Sequence, residues 1–583
     1  MKLRATTSVP GFRSLLVLGS LILSLTVGGV AIPVIRSPQV IAGPATASDS
    51  LNGILQYISS GWDVLTRTMN RCESLEDTKT GGEPVLYFPA EAPIPPSITQ
   101  LQNHCRVRVE HLPEKITRPG GIDLSKIKTD GLLYLENPYV VPGGQFNEMY
   151  GWDSYFIIRG LLRDRRADLA KGMVGNFFYE IDHYGGVLNA NRTYYLTRSQ
   201  PPFLSSMIMA VYESEQAAGK QDLQWLERAY QFAVRDYQQW NQSPHLAGDT
   251  GLSRYFDRGE GPVPEIMSDP SHYYRGVAYY LFSHSGSYQS YLVHQKDEHY
   301  ADAPGPRFPV FKCGNEFALD NTVDEIDEKA GCELVDQIAL TADFYKGDRS
   351  MRESGFDVTF RFGPFGAETH HFAPVCLNSL LYKTEKDLER MSTLLGHPGP
   401  SQAWRVKAAE RQQRMAKYLW DESHGLFLDY DFSLHKRSTY EYATTFYPLW
   451  AGLASKQQAQ SIAKNLHLFE QPGGLAMSRV ETQAQWDFPY GWAPIHLLTV
   501  EGLRRYGYGA EADRIAGKFL STVLENFNRE HNIREKYNVV TRSSETHIVE
   551  GYSQNVTGFG WTNAVFIELL HESPGAQAQL ERN

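Results

Sequence analysis

Leu223-Gln224-Trp225-Leu226-Glu227-Arg228-Ala229-Tyr230-Gln231-Phe232-Ala233-Val234-Arg235-Asp236-Tyr237-Gln238-Gln239-Trp240 places apolar residues at Leu223, Leu226, Tyr230, Ala233, Tyr237 and Trp240, in steps of 3, 4, 3, 4 and 3. That rhythm keeps one face of a helix apolar from end to end. Related stripes run through Leu51, Leu55, Ile58, Trp62, Leu65 and Met69, through Trp404, Ala408, Met415 and Leu419, and through Ile515, Phe519 and Val523. Loops of proline and glycine separate such helices, as Gly396-His397-Pro398-Gly399-Pro400 does. No sustained alternation of apolar and polar residues signals strands. From about residue 131 the chain therefore reads as a large all-α domain. A helical solenoid is not supported, because no repeat of fixed length recurs.

Outside that domain the sequence divides further. Residues 1–47 read as an export signal and spacer. Lys2, Arg4 and Arg13 precede an apolar run from Ser14 to about Ile32, and Ala45-Thr46-Ala47 offers small residues for cleavage. An uncleaved membrane anchor is the alternative. Either way the expectation is a periplasmic or secreted protein. Residues 48–130 hold one amphipathic helix and a turn-rich arm marked by Gly81-Gly82, Pro95-Pro96 and Gly120-Gly121, with one short strand near Val107–Val109. Residues 131–575 form the helical domain, with a loop-rich insertion at about 281–350. Asp320, Asp324, Glu325, Asp327 and Glu328 make an acidic run there, but without the ligand spacing or central glycine of an EF-hand. Cys72 and Cys105, and Cys313 and Cys332, bracket loops and are available for disulfides, though pairing is not readable from sequence. Cys376, in an apolar helical run, is the candidate for an unpaired buried thiol.

The chain has 583 residues, long for one domain but within the range of large toroids and barrels. Its 67 acidic and 56 basic residues give a net charge of −11 with no basic stripe, which argues against nucleic acid as a partner. The 18 histidines are scattered, no His/Cys cluster has ligand spacing, and neither metal nor cofactor is called for.

The chemistry sits in the loops. Residues 141–156, Val-Pro-Gly-Gly-Gln-Phe-Asn-Glu-Met-Tyr-Gly-Trp-Asp-Ser-Tyr-Phe, crowd aromatic and acidic groups after a glycine turn. Such a mixture suits a sugar ring, with its apolar face and rim of hydroxyls. About 340 residues on comes Gln485-Trp486-Asp487-Phe488-Pro489-Tyr490-Gly491-Trp492-Ala493-Pro494. In this order the two stretches resemble the paired signatures of the α,α-trehalases, glycoside hydrolases of family 37. Asn189-Ala190-Asn191-Arg192-Thr193-Tyr194-Tyr195-Leu196-Thr197-Arg198-Ser199-Gln200 matches a third family segment, and Gly558-Phe559-Gly560-Trp561-Thr562-Asn563 a fourth.

The resemblance implies an (α/α)6 toroid whose loops at one end hold the site, and an exported, inverting hydrolase of α,α-trehalose. Glu353-Ser354-Gly355-Phe356-Asp357 is similar to the segment carrying the general acid, which makes Asp357 the acid. Arg534-Glu535-Lys536-Tyr537-Asn538 is similar to the segment carrying the base, which makes Glu535 the base. Inversion asks for carboxyl groups about 6.5–9.5 Å apart, one protonated and one ionised. Phe146, Trp152, Asp153, Asn189, Arg198, Gln200, Glu265, Gly355, Trp486 and Glu550 are the implied sugar contacts. Three departures bear on substrate. Gln145 and Val263 stand where the family has arginines, and the glycine-rich run before the last glutamate is replaced by 543–549. They leave two alternatives: another small α-glucoside, such as a glucosylated polyol or glycerate, or a non-catalytic sugar-binding relative.

Overall fold

A computed structural model describes residues 47–76, 82–266, 270–284, 286–313, 316–319 and 332–580. The proposed signal at 1–47 and the acidic run at 320–328 lie almost wholly outside these residues. Six helices form a closed inner ring: Asp153–Arg163, Leu204–Ala217, Val375–Leu394, Tyr447–Ala451, Ala493–Arg505 and Gly560–Glu572. Each packs on the next, and the last packs on the first. Most residues of these inner helices are buried, as a doubly covered layer requires. Residues Gly560 to Leu570 are all buried. The outer layer is amphipathic and consists of Ala167–His183, Leu223–Trp240, Pro398–Tyr418, Lys456–Lys464 and Gly509–Glu530. This is the (α/α)6 toroid.

The twelfth helix comes from the other end of the chain. Ala47–Leu65 packs on Gly509–Glu530 and Gly560–Glu572, completing the last hairpin. Ile58 and Trp62 of its stripe are fully buried, together with Ile54, whereas Leu55 is only partly buried. Gly160 permits the close approach, since a Cβ there would lie 2.7 Å from that of Ala564 and 3.1 Å from the Trp62 ring. Of the stripe in 223–240, Leu226, Tyr230, Ala233, Tyr237 and Trp240 are buried. Leu223 is exposed because it opens the helix, which Asp222 caps by accepting from Trp225 N at 2.9 Å.

The arm is more regular than its turns suggest. Val85–Phe88 pairs in parallel with Arg108–His111 on one side and Leu132–Leu133 on the other. Cys72 and Cys105, 33 residues apart, form a disulfide, and a loop of that size contributes about 3–4 kcal/mol. Cys376 is free and buried. The insertion holds a four-stranded antiparallel sheet in the order Leu292–His294, Cys332–Leu340, Arg307–Cys313, Glu316–Leu319. Only the end of its longest strand, Ile338 to Leu340, is buried, so the sequence shows no clean alternation there.

Candidate active site

A cavity of about 470 Å³ is lined by residues from the loops between the helices. The stretch 141–156 makes one wall. Phe146 N donates to Gly143 O at 2.9 Å in the glycine turn, and Gly560 N donates to Pro142 O at 2.6 Å, fixing the turn to the last inner helix. Asp153 opens the helix Asp153–Arg163. The third segment lies beneath it. Gly151 N donates to Asn189 O at 3.0 Å, Asn189 N to Arg198 O at 2.9 Å, and Trp152 N to Gln200 Oε1 at 2.9 Å. Trp152, Asn189, Arg198 and Gln200, all expected at the sugar, are thereby tied into one unit by backbone bonds and the Gln200 side-chain oxygen.

The floor is a box of aromatic rings. Trp486 and Trp492 stack with centroids 3.7 Å apart and planes 5° from parallel. Trp152 lies 5.8 Å from Trp486 and 5.5 Å from Trp561, and Phe356 stands edge-on to Trp486 at 5.1 Å. Gly355 makes the box possible. Its φ of +76° is a left-handed conformation, and an added Cβ would sit 2.9 Å from the Trp152 ring.

Asp357 follows the helix Ala342–Glu353, whose charged residues Lys346, Asp348, Arg349, Arg352 and Glu353 are all buried. They are tolerated because they pair. Arg352 meets Asp348 at 3.2 Å, and Arg349 meets Asp257 at 3.1 Å. The Arg352 guanidinium also lies 3.8 Å from Asp357 Oδ2 and 3.8 Å from Glu265 Oε1. Burial pushes the Asp357 carboxyl up to about 6, against the pull of the Arg352 charge. Burial works in the same direction on Glu265, but the Arg198 and Arg352 charges and the 2.7 Å hydrogen bond from Arg198 outweigh it and hold that carboxylate at about 2. Asp153 is raised well above the carboxylate range by burial, reinforced by the nearby Glu535 and Asp357 charges.

Glu535 begins the other wall. The strand Lys536–Asn538 pairs antiparallel with Tyr490–Trp492, bringing the base segment onto the second signature. Glu535 O accepts from Trp561 Nε1 and Thr562 Oγ1, both at 3.3 Å. Lys536 Nζ donates to Glu535 Oε2 at 2.8 Å, leaving Oε1 without that partner. The cavity thus joins Asp357, Glu535, Phe146, Trp152, Asp153, Asn189, Arg198, Gln200, Glu265, Gly355 and Trp486.

Glu550 is not among them. The bridge between Ala484 and Glu550 fixes the local backbone, and Glu550 lines a neighbouring cavity with Phe360, Glu368 and Asp431. Tyr552 and Gln554 line the sugar cavity instead. Neither carries a sequence signal, because segment 551–557 has no helix or strand to anchor a spacing argument. Gln485 and Arg352 were within reach: one opens the second signature, the other directly precedes the acid segment. Gln145 lines the cavity, but Val263 is buried away from it and donates its N–H to Tyr274 Oη at 2.9 Å. Two guanidiniums, Arg198 and Arg352, therefore reach the cavity despite both substitutions. Arg198 Nη2, Glu265 Oε2 and Gln485 Oε1 are buried without hydrogen-bond partners. A ligand rich in hydroxyls, which both donate and accept, would satisfy all three.

A toroid whose aromatic-walled cavity is lined by two carboxyl groups, Asp357 and Glu535, fits a glycosidase of the six-hairpin class. The chain belongs to the trehalase family, whose model, described as Trehalase, matches residues 87–302 and 315–574. It is 36% identical over 565 residues to a cytosolic neutral trehalase of Saccharomyces cerevisiae, covering 87% of this chain and 69% of that protein. It is 34% identical over 572 residues to a cytosolic neutral trehalase of Neurospora crassa, covering 87% and 71%. The solved structure of neutral trehalase Nth1 from Saccharomyces cerevisiae superposes with a TM-score of 0.70 at 34% identity, covering 91% of this chain and 96% of that one.

These relatives are named as cytosolic, which overturns the expectation of a periplasmic or secreted protein. The physical reason is that an apolar run behind a few basic residues is a compositional signal and specifies no compartment alone. No helix among the described residues is long and apolar enough to cross a membrane.

Proposed function

We propose that this chain hydrolyses α,α-trehalose to two glucose molecules with inversion, Asp357 acting as general acid and Glu535 as general base. The observation that carries the assignment is the contrast between the two carboxyl groups. Asp357, raised to about 6 by burial, keeps a proton to give to the bridging oxygen. Glu535 accepts from the Lys536 ammonium through Oε2, so Oε1 is the oxygen available to take a proton from water. That water then attacks the anomeric carbon from the face opposite the leaving glucose.

The remaining groups bind and orient. The indoles of Trp152 and Trp486 offer apolar faces to a sugar ring, and Arg198, Glu265, Gln200 and Asn189 offer donors and acceptors to its rim. Arg352 spans Glu265 and Asp357, so it serves both binding and the acid. The arginines absent at 145 and 263 motivate another α-glucoside, but Arg198 and Arg352 meet the same need from other positions.

Glucose release from trehalose by the purified full-length chain, ranked against glucosylated polyols and glycerate, tests the reading. Trehalose should give the highest kcat/KM. A different α-glucoside ranked well above trehalose would overturn it.

A further inference from the structure

Asp343, His370 and His371 converge although 27 residues separate the carboxylate from the first imidazole. Asp343 Oδ1 lies 2.9 Å from His370 Nε2 and 3.9 Å from His371 Nε2. One ligand atom from each residue lies within 4.8 Å of both others. The two ring centroids lie 4.0 Å apart, with the planes tilted by 48°. His370 Nδ1 is buried without a hydrogen-bond partner, so Nε2 is the ring's working edge.

The donors are held by backbone contacts. Thr341 Oγ1 accepts from Phe344 N at 3.1 Å and caps the helix that carries Asp343. The turn Thr369–His371 is pinned on both sides: Arg254 Nη1 donates to His370 O at 2.8 Å, and Phe432 N donates to His371 O at 3.1 Å. Two imidazole nitrogens and a carboxylate oxygen on fixed elements make the donor set of a zinc-class ion, with positions left for water. Asp343 is 53% exposed, His371 30% and His370 6%, so an ion can enter from solvent. Asp431 and Arg254 also face His371, with opposite charges, and Asp343 faces Glu368. Hydrolysis by two carboxyl groups makes no use of this cluster.

We propose that Asp343, His370 and His371 form a binding site for a divalent transition-metal ion of the zinc class, which clamps the start of the helix Ala342–Glu353 to the turn Thr369–His371. The clamp lies about 14 Å along the helix from Arg352. An ion bound only by the folded chain stabilises it by mass action.

The test uses the full-length chain, stripped with EDTA and titrated with Zn²⁺ against a chromophoric chelator. Co²⁺ absorption serves as a second readout of coordination. One Zn²⁺ per chain should be taken up, with a rise in Tm. Asp343→Asn and His371→Gln should each weaken uptake on the order of tenfold or more. Trehalose kinetics of the stripped variants should match those of the stripped wild type. Asp343 is half exposed, so Asp343→Asn decides the question even where a histidine variant misfolds. No stoichiometric uptake by the wild type would overturn the proposal. So would uptake unchanged in both variants, which would place the ion on other histidines.

Discussion

Asp357 and Glu535 face one cavity but are held in opposite ways. Asp357 leaves the end of a buried helix, and its nearest cation is an arginine shared with Glu265 and Asp348. Glu535 enters a short strand, and its cation is the next residue in the chain, Lys536. Burial raises the Asp357 carboxyl against the charge of Arg352, 3.8 Å away, whereas Glu535 makes a direct 2.8 Å contact with its chain neighbour Lys536. The proposed division of roles rests on this difference in burial and pairing.

The largest expected effect comes from deleting either group. Asp357→Asn and Glu535→Gln should each lower kcat by about 10²–10⁴-fold with the fold intact by circular dichroism. Near-wild-type turnover in either would break the comparison. Arg352→Gln should lower kcat/KM by about tenfold or more, since one variant weakens both binding and acid. It should also move the basic limb of the kcat/KM profile upward from about pH 6. The sign follows from the Arg352 charge, which favours ionised Asp357; without it the proton is held to higher pH. A limb that stays or moves down would contradict this.

Asp357 also carries a stability cost that its substitution should expose. Its folded value, about 6, lies above the ordinary 3.8. Relative to an unperturbed carboxyl, its contribution is therefore fully present below about pH 4 and lost as pH rises through about 6. Asp357→Asn should leave stability unchanged at pH 4 and raise it by about 1–3 kcal/mol at pH 8. A quarter of the side chain is open to the cavity, which favours the lower figure. Urea unfolding at both pH values checks it.

Gly355→Ala sharpens the acid side. The left-handed φ and the Trp152 contact should destabilise the chain by about 1–2 kcal/mol and cut kcat/KM by about tenfold. Glu550→Gln should be the mildest, changing kcat/KM by no more than about twofold, since Glu550 lines a neighbouring cavity and not the one holding Asp357 and Glu535. A loss like that of Glu535→Gln would return Glu550 to the sugar.

The site residues were legible only through the family resemblance, since neither periodicity nor composition marks them: Trp152, Asp153, Asn189, Arg198, Gln200, Asp357 and Glu535, which it implies, line one cavity. The outer helices were legible from their stripes. The closing of the toroid by Ala47–Leu65 was not, because an apolar face does not say what it will pack against. The sheet in the insertion was missed because most of its long strand is exposed. In the irregular segment 545–557 the resemblance points to Glu550, but Tyr552 and Gln554 line the sugar cavity and Glu550 lines a neighbouring one. Arg352 stands next to the acid segment in sequence, but its contact with Glu265 is made only by the fold.

The most direct test of the central claim is the anomer of the glucose first released from trehalose, followed by proton NMR before mutarotation. Asp357 as acid and Glu535 as base, on opposite sides of the bond, predict equal amounts of α- and β-glucose at the earliest times. Release of α-glucose alone would mean retention, and Glu535 would not be the activator of water.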